Sequence, residues 1–134
     1  MQNDGVRRFH SPETLPPPFG YSHVVEVRAG RVIYVSGQVP LDRDGKLVGE
    51  RDLESQARQV FENLQAALDA AGATWADVVK LNYYLVDVSE LTALRAIRDE
   101  YVKTDHPPAS TLVEVSRLFR EDVLIEIDAV AIAE

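Results

Sequence analysis

Apolar residues recur along the chain with two different periods, and the longer period predicts two helices. The first apolar stripe has spacings of three and four residues, which place it on one face of a helix. It comprises Leu53, Ala57, Val60, Leu64, Ala67, Leu68 and Ala71. Asp52 stands at the N-cap position and Gly72 at C′, so the helix is expected between them. A second helix is expected to begin at Ser89, with a stripe of Leu91, Leu94, Ile97 or Arg98, and Tyr101.

Alternating and continuous apolar runs predict the strands. The predicted strands are Tyr21–Ala29, Val32–Ser36, Val78–Val86, Thr111–Val115 and Leu124–Ile132, with Val6–Phe9 as a further short edge strand. Gly30 and Arg31 predict a hairpin between the strands Tyr21–Ala29 and Val32–Ser36. The polar segment 119–122 allows the last two to form an antiparallel hairpin. The order β-β-α-β-α-β-β predicts a two-layer α+β fold, with both helices on one face of the sheet because strand–helix–strand crossovers are right-handed.

The strand pattern also predicts a second apolar sheet face, which the helices leave uncovered. Val32 and Tyr34 alternate with Ile33 and Val35. In the last predicted strand, one face carries Ile125, Ile127 and Ala129, and the other carries Leu124, Val130 and Ile132. Two helices cover only one face of a sheet, so another copy of the chain is expected to cover the second face. We therefore expect an obligate homo-oligomer.

Composition and charge narrow the functional classes. The 134 residues fit a single domain, residues 1–134, and the apolar content of 46% is that of a globular protein. A net charge of −8 disfavours nucleic acid as a partner, because its binding relies on clustered Lys and Arg. Without cysteine, a disulfide or thiolate site is impossible. The chain has no apolar run near the roughly 20 residues of a membrane span and no signal-peptide pattern, so we expect a cytoplasmic protein without a membrane partner.

The segment Pro107–Val115 is the best candidate for a small-molecule site, since two prolines end a helix there and an apolar strand begins. The next strand carries Glu126 and Asp128 on one face of an otherwise apolar run. In one interpretation these acids pair with an arginine or lie at an exposed edge. In the other, one carboxylate lies in a cleft, where it holds a water or acts as acid or base. Tyr21 either covers a pocket or packs in the core.

The sequence gives little support for a metal site, an activated serine nucleophile or a phosphate-binding loop. The three histidines are scattered, without a partner ligand at metal-binding spacing, so no metal site is expected. Only His106, next to the prolines, is kept as a candidate site residue. Ser36 and Ser110 have no histidine and acid spaced to activate them. The seven glycines do not cluster into a phosphate-binding loop.

Five runs of sequence resemble the RidA (YjgF-like) family. They are YVSGQVP (34–40), QARQVFENL (56–64), AAGATWADVVK (70–80), DHPPASTLVEV (105–115) and LIEIDAVA (124–131). The resemblance implies a chorismate-mutase-like subunit with a mixed sheet, assembled as a homotrimer with a central β-barrel and clefts between subunits. It also implies hydrolysis of reactive enamines and imines, such as 2-aminoacrylate, to a 2-keto acid and ammonia, with no metal or organic cofactor.

The resemblance assigns site residues position by position. Tyr21 matches the family's cleft tyrosine, and Ser36 and Gly37 match a Ser-Gly pair that faces the ligand. Glu126 matches the acid that positions the attacking water. Ser36 and Glu126 are therefore the expected catalytic residues, while Tyr21 and Gly37 are expected to contact the substrate.

One position departs from the family pattern. Archetypal members carry an arginine that clamps the substrate carboxylate, and this chain has Ser110 there, followed by Thr111. Serine offers one donor and no charge, which weakens the expectation of archetypal 2-aminoacrylate hydrolysis. The departure favours a neutral substrate, or one whose charge is met elsewhere. Arg95, which stands where the family has asparagine, is the candidate replacement, so Ser110, Thr111 and Arg95 complete the expected substrate-binding set.

Two functions stay open at this point. The protein is expected either to hydrolyse a small imine, enamine or related amine, or to act as a non-catalytic trimer that binds or senses a small metabolite or regulates a partner enzyme. The endoribonuclease activity attached to parts of the family is the least expected, because the chain is acidic and has no basic cluster.

Overall fold

A computed structural model describes residues 6–102 and 105–134. The described residues form six strands and two α-helices. The strands are β1 (Arg7–His10), β2 (Val24–Val27), β3 (Arg31–Gln38), β4 (Val78–Leu85), β5 (Ala109–Glu114) and β6 (Ile125–Ala133), and the helices are α1 (Leu53–Ala70) and α2 (Leu91–Tyr101). Short 3-10 turns precede β4 and α2. The predicted domain, residues 1–134, includes residues 1–5, 103 and 104, which lie outside the described residues.

Four strands form the main sheet, in the order β3-β6-β4-β5. β6 is antiparallel to both of its neighbours, whereas β4 and β5 are parallel. α1 packs on β3 and β6 and also contacts α2, so both helices lie on one face of the sheet. The predicted two-layer α+β architecture with a mixed sheet is confirmed.

The helices bury the faces that their apolar stripes predict. α1 follows Asp52 at its N-cap, and Gly72, just beyond its last turn, has a φ of +70°. In α2, Leu94 and Ile97 take the core positions, which decides between Ile97 and Arg98 and leaves Arg98 at the edge of the core. The core between helices and sheet also contains Phe61, with Leu64 and Leu68 one and two turns further along α1.

The predicted hairpin between the last two strands is wrong. β6 lies in the centre of the sheet between β3 and β4, whereas β5 lies at the edge and pairs only with β4. Ile125 and Ile127 of β6 are fully buried beneath the helices, while much of β5 is exposed. In the centre of the sheet, the more apolar strand β6 is hydrogen-bonded to a neighbour on each side. The more polar β5 is left at the edge.

The predicted hairpin around Gly30 and Arg31 is also wrong. β2 pairs with β1 in a separate two-stranded sheet, and β3 pairs with β6, beginning with Arg31 opposite Ala133. Gly30 has a φ of +134°, and a Cβ atom there would lie 2.5 Å from the Cγ2 atom of Ile132. Glycine is therefore needed for the chain to pass close over the end of β6, not to reverse into a hairpin.

We call the sheet face away from the helices the open face. Val32 and Tyr34 lie on it with 54% and 81% of their surface exposed. The same face carries Glu126 and Asp128 of β6, and Tyr84 of β4 opposite Glu126. An uncovered face with apolar residues was expected, and beside them it carries the polar side chains of the central strands. The homo-oligomer that would cover this face stays a prediction.

Candidate functional site

Three of the predicted site residues line one cavity. This helix-side cavity lies between α2, β4, β5 and the amino-terminal loop, and its volume is about 230 Å³. Its walls are Phe19, Tyr21, Tyr83, Leu94, Arg95, Arg98, Ser110 and Leu112. At about 30 Å³ for each water molecule, it has room for roughly eight waters or one small metabolite.

The proline turn positions the walls of the helix-side cavity. Pro107 and Pro108 lead into β5, whose Ser110 lies opposite the buried Leu81 of β4 and therefore faces the helices. The Ser22 hydroxyl donates to the Pro107 carbonyl over 2.6 Å, and the Ser22 amide donates to the Pro108 carbonyl over 3.0 Å. These two bonds hold the loop containing Tyr21 beside the start of β5, so the prolines anchor the loop that lines the cavity.

Glu126 and Gly37 form a second cluster on the open face, with Ser36 next to Gly37 in the chain. The Glu126 side chain packs directly on Gly37, where an added Cβ would lie only 1.9 Å from the Glu126 Oε2 atom. No larger residue fits at Gly37 unless the carboxylate moves. Ser36 is exposed beside this contact. Gly37 and Glu126, which the family resemblance assigned to the site separately, are therefore in tight contact between β3 and β6.

The two acids of β6 have different surroundings. Asp128 accepts hydrogen bonds from Asn82 Nδ2 over 2.7 Å and from the Tyr84 hydroxyl over 2.9 Å, and its carboxylate raises the pKa of Tyr84. Glu126 has no hydrogen-bond donor among the described residues. Partial burial, and to a lesser extent the charge of Asp128, raises the pKa of the Glu126 carboxyl. Asp128 is thus held in a polar network that contains no arginine, and Glu126 is left to interact with solvent or ligand.

The structure therefore divides the predicted site between two faces of the sheet. Tyr21, Arg95 and Ser110 line the helix-side cavity. Thr111, next to Ser110, points to the open face, where its hydroxyl accepts a hydrogen bond from Lys80 Nζ over 2.8 Å. Glu126 lies on that open face as well. Within one chain, the residues expected to act together do not share a single cleft.

The described residues bring no metal-ligand cluster together. No group of three or more His, Asp or Glu side chains within residues 6–102 and 105–134 is arranged to hold a metal ion. The His106 ring packs edge-on against Phe9 and pairs with Asp105 over 3.2 Å, and it does not line the helix-side cavity. Neither helix is long and apolar enough to cross a membrane, over the part of the chain that the structure describes.

Comparison with known proteins gives the family. The sequence profile described as Endoribonuclease L-PSP matches residues 12–133. The chain belongs to this family. A RutC family protein of Pyrococcus horikoshii is 41% identical over 124 residues, which are 91% of this chain and 94% of that protein. The 2-iminobutanoate/2-iminopropanoate deaminase of Salmonella typhimurium is 37% identical over 123 residues, which are 90% of this chain and 93% of the deaminase.

Solved structures of family members confirm the fold. A Rid family protein of unknown function from Yersinia pestis superposes with a TM-score of 0.84 at 40% identity, covering 94% of this chain and 98% of that one. RidA from a Psychrobacter species gives a TM-score of 0.70 at 31% identity, over 93% and 98% of the two chains. The assignment to the RidA family made from the five sequence runs is therefore correct.

The sequence analysis of this L-PSP family chain missed two residues of the helix-side cavity. Arg98 was considered only as an alternative core position, and Tyr83 was included only as part of the predicted strand Val78–Val86. The available signal was the arginine at an apolar spacing in α2, since a cation there must lie at the edge of the core. The residues that surround Arg98 could not be foreseen, because they come from the amino-terminal loop and from β4.

Proposed function

We propose that this protein hydrolyses a small reactive imine, enamine or related amine without a cofactor. The observation that carries the proposal is the Glu126 carboxylate, which packs on Gly37 and has no hydrogen-bond donor among the described residues. Its raised pKa makes it a better proton acceptor than an ordinary glutamate. The name of the Salmonella relative, a 2-iminobutanoate/2-iminopropanoate deaminase, supports the same reaction class.

The proposed reaction needs only water and proton transfer. Glu126 accepts a proton from a water molecule while the water oxygen bonds to the carbon of the C=N group. Glu126 then gives this proton to the nitrogen, which becomes an amino group beside the new hydroxyl group. A second proton passes from the hydroxyl to the amino group, the C–N bond breaks as the C=O bond forms, and ammonia and a carbonyl compound leave. Ser36 lies next to Gly37 and is proposed to hold the substrate beside this water.

We further propose that a homotrimer brings the two halves of the site together. The exposed Val32 and Tyr34 on the open face support association with further copies of the chain, because large apolar side chains rarely stay exposed in a patch. In the assembly that the family resemblance implies, clefts lie between subunits. The helix-side cavity of one subunit and the Glu126 cluster of its neighbour would then face one substrate.

The first test measures ammonia released from freshly generated 2-aminoacrylate and 2-iminobutanoate. The wild type is expected to release ammonia faster than the uncatalysed reaction. Glu126→Gln keeps the side-chain size but removes the proton acceptor, so the rate should fall by about 10²- to 10⁴-fold. Glu121→Gln, at a side chain that is 87% exposed on the surface, is the matched control and should keep the wild-type rate.

Two results would contradict the hydrolytic proposal. One is a wild type that releases no ammonia above background from either substrate. The other is an active Glu126→Gln variant, which would show that the acid is not the proton acceptor.

Non-catalytic binding of a small metabolite is the second candidate function, and one observation favours it. Within a single chain, the helix-side cavity contains no carboxylate, and Glu126 lies on the other face of the sheet. A cavity of this kind can bind a ligand without activating water. Binding of 2-oxobutanoate that survives Glu126→Gln, together with no turnover in the wild type, would support this function over hydrolysis.

A further inference from the structure

The helix-side cavity is basic, although the protein as a whole is acidic. Two of its eight lining residues are arginines, Arg95 and Arg98, and none is an acid. The net charge of the chain is −8. Asp99, which does not line the cavity, pairs with Arg98 over 2.9 Å, so Arg95 leaves the cavity with a net positive charge. Positive charge in a small, partly enclosed space favours an anionic ligand.

Arg98 is held in a fixed position at the wall of this cavity. Its guanidinium lies against Gly20, where an added Cβ would be 2.1 Å from Nη2, and Gly20 has a φ of +78°. Its Nε atom donates to Asp99 Oδ1 over 2.9 Å, and Nη1 donates to the Phe19 carbonyl over 3.3 Å. Only 13% of the side chain is exposed. The arginine is therefore positioned before any ligand arrives.

The guanidinium keeps donors for a ligand. It carries five N–H groups, and its contacts with Asp99 and Phe19 use three of them, one each on Nε, Nη1 and Nη2. One N–H group remains on each of Nη1 and Nη2. Two such donors are the pair that binds the two oxygens of a carboxylate.

Arg95 is placed differently. It is exposed, and its guanidinium carbon lies 5.7 Å from the centre of the Phe19 ring, in a cation–π contact. No hydrogen bond to a described residue fixes its orientation. Arg95 adds positive charge at the rim of the cavity, whereas Arg98 supplies directed donors in its wall.

Tyr83 gives a second, independent indication of a ligand. Its side chain lines the cavity, only 3% of the residue is exposed, and its hydroxyl has no hydrogen-bond partner among the described residues. Burial raises the pKa of this hydroxyl, the positive charge of Arg98 lowers it and the negative charge of Asp99 raises it, so the hydroxyl lies near this ion pair. Buried hydroxyls in folded proteins nearly always have a partner.

We propose that Arg98 and Tyr83 bind the carboxylate of a small organic acid in the helix-side cavity, Arg98 through its Nη1 and Nη2 donors and Tyr83 through its hydroxyl. The small side chain of Ser110 leaves the space that the ligand occupies. The assignment replaces Arg95, the residue that sequence reasoning favoured, with Arg98. It makes the substrate an anion, not a neutral amine, and it rests on the proposed function only in taking this cavity as the ligand site.

The test compares binding of 2-oxobutanoate and its uncharged amide, 2-oxobutanamide, by calorimetry, so that no turnover is needed. The wild type should bind the carboxylate at least tenfold more tightly than the amide. Arg98→Gln should weaken carboxylate binding by about 10- to 100-fold and remove the preference, as expected for loss of a charged hydrogen bond. Arg98→Lys keeps the charge but not the two-donor geometry, so its affinity for the carboxylate should lie between those of the wild type and Arg98→Gln. Arg117→Gln, at an exposed surface site, should bind like the wild type.

Tyr83→Phe separates ligand binding from a structural role. The hydroxyl has no protein partner, so its removal should leave thermal stability unchanged or higher, while carboxylate binding weakens by about 3- to 10-fold. The proposal is overturned if 2-oxobutanoate and the amide bind equally, if neither binds at millimolar concentration, or if Arg95→Gln alone abolishes the carboxylate preference. Carboxylate binding through Arg98 with no ammonia release would support this inference and contradict the hydrolytic function.

Discussion

At the scale of single residues, the site depends on which neighbours each charged group finds. Asp128 and Glu126 are two residues apart on the same strand, yet Asn82 and Tyr84 satisfy only Asp128. Glu126 instead contacts Gly37, which offers no side-chain donor. A carboxylate left in this condition opposes folding when it is charged, because it has lost water without gaining a hydrogen bond. Such unfavourable placements are typical of functional sites.

The raised pKa of Glu126 leads to a prediction about stability and pH. The folded state binds the Glu126 proton more tightly than the unfolded chain, whose carboxyl has the ordinary pKa of 4.5. Stability associated with this group is therefore present below pH 4.5 and is lost as the pH rises through the higher folded-state pKa. Glu126→Gln should raise the melting temperature at pH 7, by on the order of a few °C, and should change it little at pH 4.

Thermal unfolding of wild type, Glu126→Gln and the surface control Glu121→Gln at both pH values makes this comparison. A Glu126→Gln variant that is less stable than the wild type at pH 7 would mean that the carboxylate has a stabilising partner in the assembled protein.

At the scale of elements, one buried polar side chain connects α1 to two loops. Gln56 is fully buried, and its Nε2 atom donates to the carbonyls of Gly49, over 3.0 Å, and Asp122, over 2.9 Å. Its Oε1 atom accepts from the Leu124 amide over 2.8 Å. Because Leu124 directly precedes β6, this glutamine fixes where the central strand begins. A polar residue on the buried face of α1 interrupts the apolar stripe, and the sequence pattern did not indicate its role.

We predict that Gln56→Leu destabilises the protein by about 2–4 kcal/mol, because two carbonyls and one amide lose their partners in the interior. The measurement is the urea midpoint at one fixed protein concentration, with an unchanged denaturant slope. Gln59→Leu is the matched control on the same helix, since the Gln59 side-chain amide donates only to Asn63, and it should cost under about 1 kcal/mol. A Gln56→Leu variant as stable as this control would contradict the role assigned to Gln56.

At the scale of the whole molecule, the open face is the feature that a single chain leaves unexplained. Its apolar part, Val32 and Tyr34, lies on the edge strand β3, and its polar part lies on the central strands. An exposed edge strand with large apolar residues is a surface that proteins normally cover. The homotrimer proposed above covers it with copies of the same chain.

If the protein is a homotrimer, a charge added to the open face should dissociate it. Wild-type protein should sediment with three times the mass of the chain at micromolar concentration. Tyr34→Asp should dissociate it into smaller species, since the new carboxylate would be buried in the interface without a partner. Phe119→Asp, at an exposed aromatic residue outside the sheet, should leave the mass unchanged. A wild type that sediments as a monomer would rule out the trimer.

How far the sequence predicted the molecule differs between its parts. The five sequence runs identified the family, and the spacing of apolar residues placed both helices, with α1 beginning after Asp52. The apolar run Val78–Val86 also predicted β4, which the structure places at Val78–Leu85. The pairing of β5 with β6, and of β2 with β3, was predicted wrongly, because turn residues report only that two strands are close along the chain.

The sequence by itself determined the local features, since helix faces, caps and strand alternation depend on residues within a few positions of each other. The tertiary structure decided everything that depends on competition between distant segments. It placed β6 at the centre of the sheet, separated Glu126 from Ser110, and put Arg98 beside Tyr83 and the loop at Gly20. Among many possible strand orders, the chain adopts the one that buries the most apolar surface. That surface depends on contacts between distant segments, which the local pattern of a single sequence does not contain.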